Sequence, residues 1–243
     1  MQIIKLDATD STNQYLKDFM LNGEPSDFTV IVTKEQRKGR GQMGTIWQSE
    51  IGKNLTFSVL KKINHLNVID QYQLNVCVSL AIIKSLKTML IPNLSIKWPN
   101  DIMSGSAKIC GILIENILLG NKIQASVIGV GLNVNQQTFN NLVNVSSLKL
   151  LLGRSLNIDE LLKLILSNFK EVFETWKEEG IDELWNSYEN MLFRKDKAST
   201  FKNKEGELIM GFIRGVNSEG RLLIELEGTV LKEFNLKEVQ LLY

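Results

Sequence analysis

The spacing of hydrophobic residues predicts three amphipathic helices in the first three quarters of the chain. Apolar residues three and four positions apart line one face of a helix, and such stripes begin after Ser11, near Asp70 and after Asn157. Ser11 and Asn157 are N-cap residue types, and Gln14 and Glu160, three positions further on, fit capping boxes. The pattern therefore indicates helices with defined starting points.

Strands are predicted between these helices. Apolar and polar residues alternate over 55–59, which is the period of a strand with one buried face. The runs 109–114 and 123–134 are nearly continuous in apolar residues, so we expect these strands to be central in a sheet. The full set of predicted strands is 29–36, 55–59, 94–97, 109–114 and 123–134.

The pattern changes at the charged stretch 193–197, Phe-Arg-Lys-Asp-Lys. Beyond it, four short apolar segments are separated by glycine turns, which is typical of a small β-barrel. A short helix over 184–192 closes the part that precedes it. The chain is therefore predicted to be an α+β protein, with a mixed α/β domain over residues 1–192 and a small β domain over 193–243.

Composition narrows the class of protein without naming a ligand. Hydrophobic residues make up 44% and charged residues 23%, and the net charge is +1; these are values of a globular protein with no global field for nucleic acid or an anionic membrane. Cys77 and Cys110 lack metal-ligand spacing, and a single histidine, His65, argues against a zinc site or a histidine triad. The N-terminus has no signal-like apolar core, so a cytoplasmic location is expected.

Residues 36–44 form a candidate anion-binding loop. They read Gln-Arg-Lys-Gly-Arg-Gly-Gln-Met-Gly, so three cations are interleaved with glycines. Backbone N–H groups and guanidinium forks in such a loop match the oxygens of a triphosphate. The spacing is neither a Walker A loop nor a Rossmann fingerprint. A solvated basic hairpin stays the alternative.

A second candidate is Lys97-Trp98-Pro99-Asn100-Asp101, at the end of a predicted strand. The proline forces the preceding residue to be extended and fixes the turn, so Asn100 and Asp101 project from a rigid corner. A carboxylate there is suited to hold Mg²⁺ beside phosphates. The alternative is a turn with structural hydrogen bonds.

Two glycine-containing strands carry further candidates. Lys108 begins an apolar strand, where its ammonium needs a partner such as an anionic ligand, and Gly111 permits close approach to the backbone. Asn133 follows two glycines in the strand 128–135, and an amide is suited to an adenine edge. The alternatives are a lysine that reaches solvent, and glycines that only let helices pack closely.

Taken together and in order, these segments resemble the biotin–protein ligase family. The resemblance rests on 10–13, 39–47, 97–101, 108–115 and 128–135, which include the motifs Lys-Trp-Pro-Asn-Asp and Lys-x-x-Gly-Ile-Leu-x-Glu. It implies a catalytic domain related to class II aminoacyl-tRNA synthetases, followed by an SH3-like domain. The implied activity forms biotinyl-5'-AMP from biotin, ATP and Mg²⁺ and transfers biotin to a lysine of a biotin carboxyl carrier protein domain.

The resemblance also implies a role for each matched residue. Those expected at biotin are Ser11, Thr12, Asn13, Gln36, Gly111 and Ile112. The loop over biotin and the adenylate contains Gly39, Arg40, Gly41 and Gln42. Those expected at ATP are Trp47 and Asn133 at adenine, Lys97 and Asn100 beside the nucleotide, Asp101 at the metal, and Lys108 at the carboxylate and α-phosphate. Arg40 and Lys108 are the expected catalytic residues.

Two departures from the family pattern matter. Many members have arginine where this chain has Gln42, and often another where it has Met43, so we expect weaker retention of the adenylate. Members that also repress transcription carry a DNA-binding helix-turn-helix before the Ser11 motif, for which this sequence leaves no room. An enzyme that binds neither DNA nor a membrane is therefore expected, with a homodimer as an open possibility.

Two other functions fit part of the pattern. Lipoate–protein ligases share the implied fold and chemistry, and a cofactor competition assay separates the two. A non-catalytic module that binds nucleic acid or peptide through its basic loop is disfavoured by the near-neutral charge and by strands without an aromatic and basic pattern after Phe193.

Overall fold

The computed structural model describes residues 1–140 and 142–243, with the side chains of residues 64 and 65 left out of that description. His65, the histidine noted above, therefore lies outside the described side chains. The strands are β1 Ile3–Thr9, β2 Val30–Gln36, β3 Leu55–Asn67, β4 Leu94–Lys97, β5 Asp101–Ser104, β6 Ala107–Leu119, β7 Lys122–Leu132, β8 Ala198–Asn203, β9 Leu208–Val216, β10 Leu222–Leu226, β11 Val230–Phe234 and β12 Val239–Leu242. The α-helices are α1 Thr12–Leu21, α2 Tyr72–Thr88, α3 Leu148–Leu152, α4 Ile158–Glu179 and α5 Asp182–Asn190.

Strands β1 to β7 form one mixed sheet in the order β1-β2-β3-β7-β6-β5-β4. β1 runs parallel to β2, and the other neighbours are antiparallel. The apolar strands β6 and β7 lie inside the sheet, which confirms their predicted central position. Gly131 of β7 lies opposite Gly111 of β6 and Thr56 of β3, so two glycines meet in mid-sheet.

Helices cover both faces of this sheet. Val30 and Val32 of β2 belong to the large apolar cluster that includes residues of α2 and α4. Ile31, which points to the opposite face, packs in a smaller cluster with Leu16 of α1. Strand β3 is buried in the same way on both faces, because Ser58 is buried as completely as Phe57. The prediction of a half-buried strand over 55–59 was therefore wrong.

The predicted helices are confirmed, with two local corrections. Ser11 caps α1 and accepts from Gln14 N, but the Gln14 side chain bonds Asp18, so the reciprocal half of the capping box is not formed. The second helix begins at Tyr72, just after the predicted start near Asp70, and it ends at Thr88, because Leu90 has a positive φ of 60° that ends helical geometry.

The C-terminal strands β8 to β12 form a separate antiparallel sheet in the order β11-β10-β9-β8-β12. The four predicted segments are confirmed as β9 to β12, and β8 was not predicted. This sheet is joined to the first by packing, since Phe201 and Ile224 belong to the same apolar cluster as Ile96. None of the described helices has the length and apolar character of a membrane span.

Candidate functional site

A cleft of about 760 Å³ lies where the two sheets meet, and it gathers most of the predicted site residues. Those that line it are Ser11, Thr12, Asn13, Gln36, Arg40, Gly41, Gln42, Trp47, Lys97, Asn100, Asp101, Lys108, Gly111 and Ile112. Gly39 and Asn133 do not. Residues more than 90 positions apart in sequence thus meet at one surface, as the motif order predicted.

One end of the cleft is a network of neutral polar groups at the start of α1. Gln36 Oε1 accepts from Thr12 N at 2.9 Å and from Thr12 Oγ1 at 3.1 Å. Ser58 Oγ on β3 bonds Thr12 Oγ1 at 2.8 Å and Asn13 Oδ1. Because Ser58 fixes both side chains, it is a positioning residue that sequence reasoning missed; its place in an alternating strand gave no signal.

The glycines of β6 and β7 form the floor of the cleft. A Cβ at Gly129 would collide with the Asn13 side chain, and one at Gly131 would collide with the indole of Trp47. These glycines therefore make room for cleft side chains, and not only for helices, as the alternative held. The Trp47 indole lies on Gly131 and Gly111, and its Nε1 is buried without a hydrogen-bond partner in the described structure.

Lys108 is held inside the cleft by an ion pair. Its Nζ lies 2.6 Å from Asp101 Oδ1, an atom buried from solvent, and 5.7 Å from the centre of the Trp47 ring. Only about a third of the Lys108 side chain is exposed and its ammonium is paired, which favours the ligand-facing interpretation over a lysine that only reaches solvent. Asn100 Nδ2 donates to Ile112 O at 2.6 Å, so the corner carrying Asp101 is fixed against β6.

Glu115 on β6 joins Arg40 of loop 36–44 to Asn13 and Lys17 of α1. Its carboxylate accepts from Arg40 Nη2 at 3.0 Å, from Asn13 Nδ2 at 2.8 Å and from Lys17 Nζ at 2.8 Å. Partial burial acts to raise the pKa of Glu115, but the bonds from Lys17 and Asn13 and the charges of Lys17 and Arg40 outweigh it, and the pKa is lowered. Sequence reasoning quoted this residue within a motif but gave it no role.

Of the three cations in loop 36–44, only Arg40 lines the cleft. Arg37 pairs with Glu35 at 3.4 Å, and Lys38 pairs with Asp10 at 2.7 Å, both on exposed surface. The loop folds as a short hairpin, with Arg40 bridged to Ile46. The expectation that all three cations reach one anion is therefore wrong. The alternative, a basic hairpin, gives the backbone conformation of this loop correctly.

The two predicted residues outside the cleft have structural contacts. Asn133 is buried, and its Nδ2 donates to Ser146 O at 3.1 Å, so its side chain is not presented to a ligand in this structure. A Cβ at Gly39 would collide with Trp47 O and the Gln36 amide, so the glycine lets the loop pass close to Gln36.

The cleft holds one carboxylate within the described residues, that of Asp101, and no cluster of three metal-binding side chains was found among them. Cys110 is buried, and burial raises the pKa of its thiol, so it is a core residue.

The second sheet also contributes to the wall of the cleft, which sequence reasoning missed because the packing of two sheets leaves no local pattern. Its charged residues there are Lys202, Lys204 and Lys237.

Fold and site together define an α+β ligand-binding protein, whose cleft has a neutral polar end, a glycine floor and a cationic end. The chain belongs to the biotin/lipoate A/B protein ligase family, whose model matches residues 6–133. It is 28% identical over 232 residues to the bifunctional ligase/repressor BirA of Escherichia coli (strain K12), which covers 93% of this chain and 70% of that protein. It is 32% identical over 131 residues to biotin–[acetyl-CoA-carboxylase] ligase of Paracoccus denitrificans, covering 53% of each.

Among solved structures, the chain is similar to biotin protein ligase from Aquifex aeolicus in complex with biotin and ATP. The TM-score is 0.80 at 27% identity, and the match covers 99% of this chain and 98% of that one.

Proposed function

We propose that this chain is an ATP-dependent biotin–protein ligase, which forms biotinyl-5'-AMP and transfers biotin to a lysine of a biotin carboxyl carrier protein domain. The observation that carries the proposal is the joining of the Thr12–Gln36 network and the Lys108–Asp101 pair along one glycine-floored cleft. The similarity to a ligase structure bound to biotin and ATP supports it.

The proposal extends to the architecture. The seven-stranded sheet over residues 1–192 is taken as a domain related to class II aminoacyl-tRNA synthetases, and the five-stranded sheet over 193–243 as an SH3-like domain. The two sheets share no strand, and no described helix or strand lies between Asn190 and Ala198, which supports this division.

Biotin would lie along the floor with its ureido group at the polar end. Thr12 Oγ1 and the Gln36 amide supply donor and acceptor groups for both edges of a planar urea. Gly111 and Gly131 let the apolar ring system approach the backbone, provided that the Trp47 indole moves off them. Because the buried Nε1 of Trp47 has no hydrogen-bond partner in the described structure, that movement breaks no hydrogen bond of the indole.

The carboxylate of biotin would then reach the cationic end. A carboxylate oxygen forms a bond to the α-phosphorus of ATP, the bond to the bridging oxygen breaks, and the electron pair leaves with pyrophosphate. Lys108 and Arg40 would stabilise the added negative charge, each exchanging its present carboxylate partner for the ligand. In the second step the acceptor amine attacks the carbonyl carbon, AMP leaves, and the amine proton passes to solvent.

Magnesium fits this cleft only as an ion held mainly by the nucleotide. Mg²⁺ in such sites takes one or two carboxylates and fills its shell with phosphates and water, and Asp101 is the carboxylate present. Bound there, the ion would neutralise phosphate charge. When Lys108 exchanges Asp101 for the ligand, the Asp101 carboxylate would be left for that role.

The test is pyrophosphate release from ATP and Mg²⁺ without acceptor protein, in parallel with biotin and with lipoate. Release with biotin alone is the expected result, and it also identifies the cofactor. Release with lipoate alone would make the chain a lipoate ligase, the second activity that the family name includes. If folded protein releases no pyrophosphate with either biotin or lipoate, the ligase proposal is wrong.

A further inference from the structure

The charges that line the cleft are strongly unequal. Within the described residues, one carboxylate, Asp101, faces six cationic side chains, although the whole chain carries a net charge of only +1. The cations are Arg40, Lys97, Lys108, Lys202, Lys204 and Lys237. A monocarboxylate such as biotin does not require so many cations, whereas a polyphosphate does.

Half of these cations belong to the second sheet, which the proposed chemistry has not used. Lys202 lies in β8 opposite Gln240 of β12, and both residues line the cleft. Neither Lys202 nor Lys237 has a carboxylate within ion-pair distance among the described residues, in contrast to Arg40 and Lys108. To its side of the cleft, which is called the mouth below, the second sheet therefore contributes two ammonium groups without a carboxylate partner in the described structure.

Lys237 is held at this mouth by its own turn. Its backbone has a positive φ of 64°, a conformation that a lysine rarely adopts. Glu238 closes the turn by accepting from Asn235 N at 2.7 Å, and it also binds Lys204 Nζ at 3.1 Å. The closed turn fixes the backbone position from which the Lys237 side chain extends.

The Lys237 side chain reaches the basic loop. Lys237 Nζ donates to Met43 O at 3.3 Å, so a side chain of the second sheet crosses the mouth and touches the first. The loop is neutral there, because Gln42 and Met43 line the cleft next to Arg40. Lys237 thus places a positive charge beside the two loop positions that have none.

We propose that Lys202 and Lys237 form the subsite for the β- and γ-phosphates of ATP, and so hold pyrophosphate as it leaves. This rests on the proposed function, because the inner cations, Arg40 and Lys108, are assigned there to the biotin carboxylate and the α-phosphate. The outer lysines then meet the part of the triphosphate that extends toward solvent. The second sheet is, in this assignment, part of the nucleotide site.

The test compares Lys202→Gln, Lys237→Gln and the double variant in biotin-dependent pyrophosphate release. Each single change is expected to raise the KM for ATP about three- to fivefold, and the double change about tenfold or more, because exposed charge pairs are individually weak. The KM for biotin should not change. Lys237→Arg, which keeps the positive charge, should keep the wild-type KM for ATP. Lys232→Gln is the control: Lys232 is an exposed lysine of β11 outside the cleft, and its change should have no effect on this KM.

Pyrophosphate binding can also be measured directly, without any need for catalytic turnover. Titration of the full chain with inorganic pyrophosphate should show binding that weakens about tenfold in the double variant and with rising salt. If wild-type protein releases no pyrophosphate but binds it through these lysines, the proposed function fails and the subsite stands. Unchanged ATP KM and pyrophosphate affinity in the double variant would overturn the subsite. A rise only in the KM for the acceptor protein would also overturn it and reassign the lysines to acceptor docking.

Discussion

At the scale of single residues, Lys108 is the side chain on which the proposed chemistry depends most. It lies inside the cleft against Asp101, and a ligand anion can replace that partner. Lys108→Ala is expected to lower the rate of adenylate formation by about 10²–10³, the usual cost of removing one charged donor from a transition state. The rate is measured by pyrophosphate release, with circular dichroism as the check on folding.

The matched control for this change is Lys122→Ala, which removes an exposed lysine at the start of the neighbouring strand β7. It should leave both rate and folding unchanged. Because Lys108→Ala also leaves the Asp101 carboxylate without its partner, Lys108→Met, which keeps the side-chain volume, is the second variant. Wild-type turnover in either variant would show that Lys108 is not catalytic.

Glu115 gives a second prediction at this scale, on the pH dependence of stability. Its pKa is lowered below its ordinary value of 4.5, so ionised Glu115 stabilises the folded state at neutral pH. That contribution is lost as the pH falls below 4.5 through the depressed pKa. Relative to Glu115→Gln, the wild type should therefore lose more of its free energy of unfolding between about pH 5 and pH 3. Denaturant titrations of both proteins measure it, and parallel curves would contradict the assigned partners.

At the scale of elements, the N-cap of α4 can be tested separately from the site. Asn157 Oδ1 accepts from Asp159 N at 3.0 Å and from Glu160 N at 3.2 Å. Asn157→Ala should lower the free energy of unfolding by about 1 kcal/mol, with kinetic constants unchanged. Lys170→Ala, on the exposed face of the same helix, is the control and should change stability by less than about 0.5 kcal/mol. Equal effects of the two changes would mean that the cap contributes nothing.

Elements with their own local signals were the ones that sequence predicted well. Helix α4 has a capping residue, an apolar stripe and a terminal Gly180, and all three appear in the structure. Strands β1, β5 and β8 were missed because each is short or mixes polar with apolar residues, and is defined by pairing with distant partners. Pairing of this kind has no local pattern to read.

The residues of the candidate site were likewise predicted where a local sequence pattern marks them, and missed where distant contacts place them. Residues in unusual local patterns, such as Lys108 at the start of an apolar strand and Gly111 within it, were predicted to face a ligand, and they line the cleft. Ser58, Glu115 and Lys237 were missed, because each has its place through side chains far away in sequence. The adenine role of Asn133 stays a prediction: the residue lies within a matching motif, but its side chain is buried and donates to Ser146 O in this structure.

At the scale of the whole molecule, the two sheets should unfold together. Their apolar cluster is continuous, and polar contacts join the second sheet to the first part of the chain: Trp98 Nε1 donates to Gly220 O at 2.9 Å, and Val216 N of β9 donates to Glu189 Oε1 of α5 at 2.9 Å. Gly220 is a point of close approach, because a Cβ there would collide with the Tyr72 ring. Gly220→Ala should therefore weaken the packing of the second sheet on the Trp98–Asp101 corner.

Gly228→Ala separates this packing effect from backbone strain. Both glycines have a positive φ, 87° and 78°, but nothing lies within 4 Å of a Cβ at Gly228. Each change should carry the backbone cost of about 1 kcal/mol, and Gly220→Ala should lose a further 1–3 kcal/mol from overpacking. Denaturation followed by tryptophan fluorescence and by far-UV circular dichroism should give one coincident transition in the wild type. Two separate transitions, or equal losses of free energy of unfolding in Gly220→Ala and Gly228→Ala, would mean that the second sheet is an independent unit. Such a unit could not hold its lysines in a fixed position over the cleft.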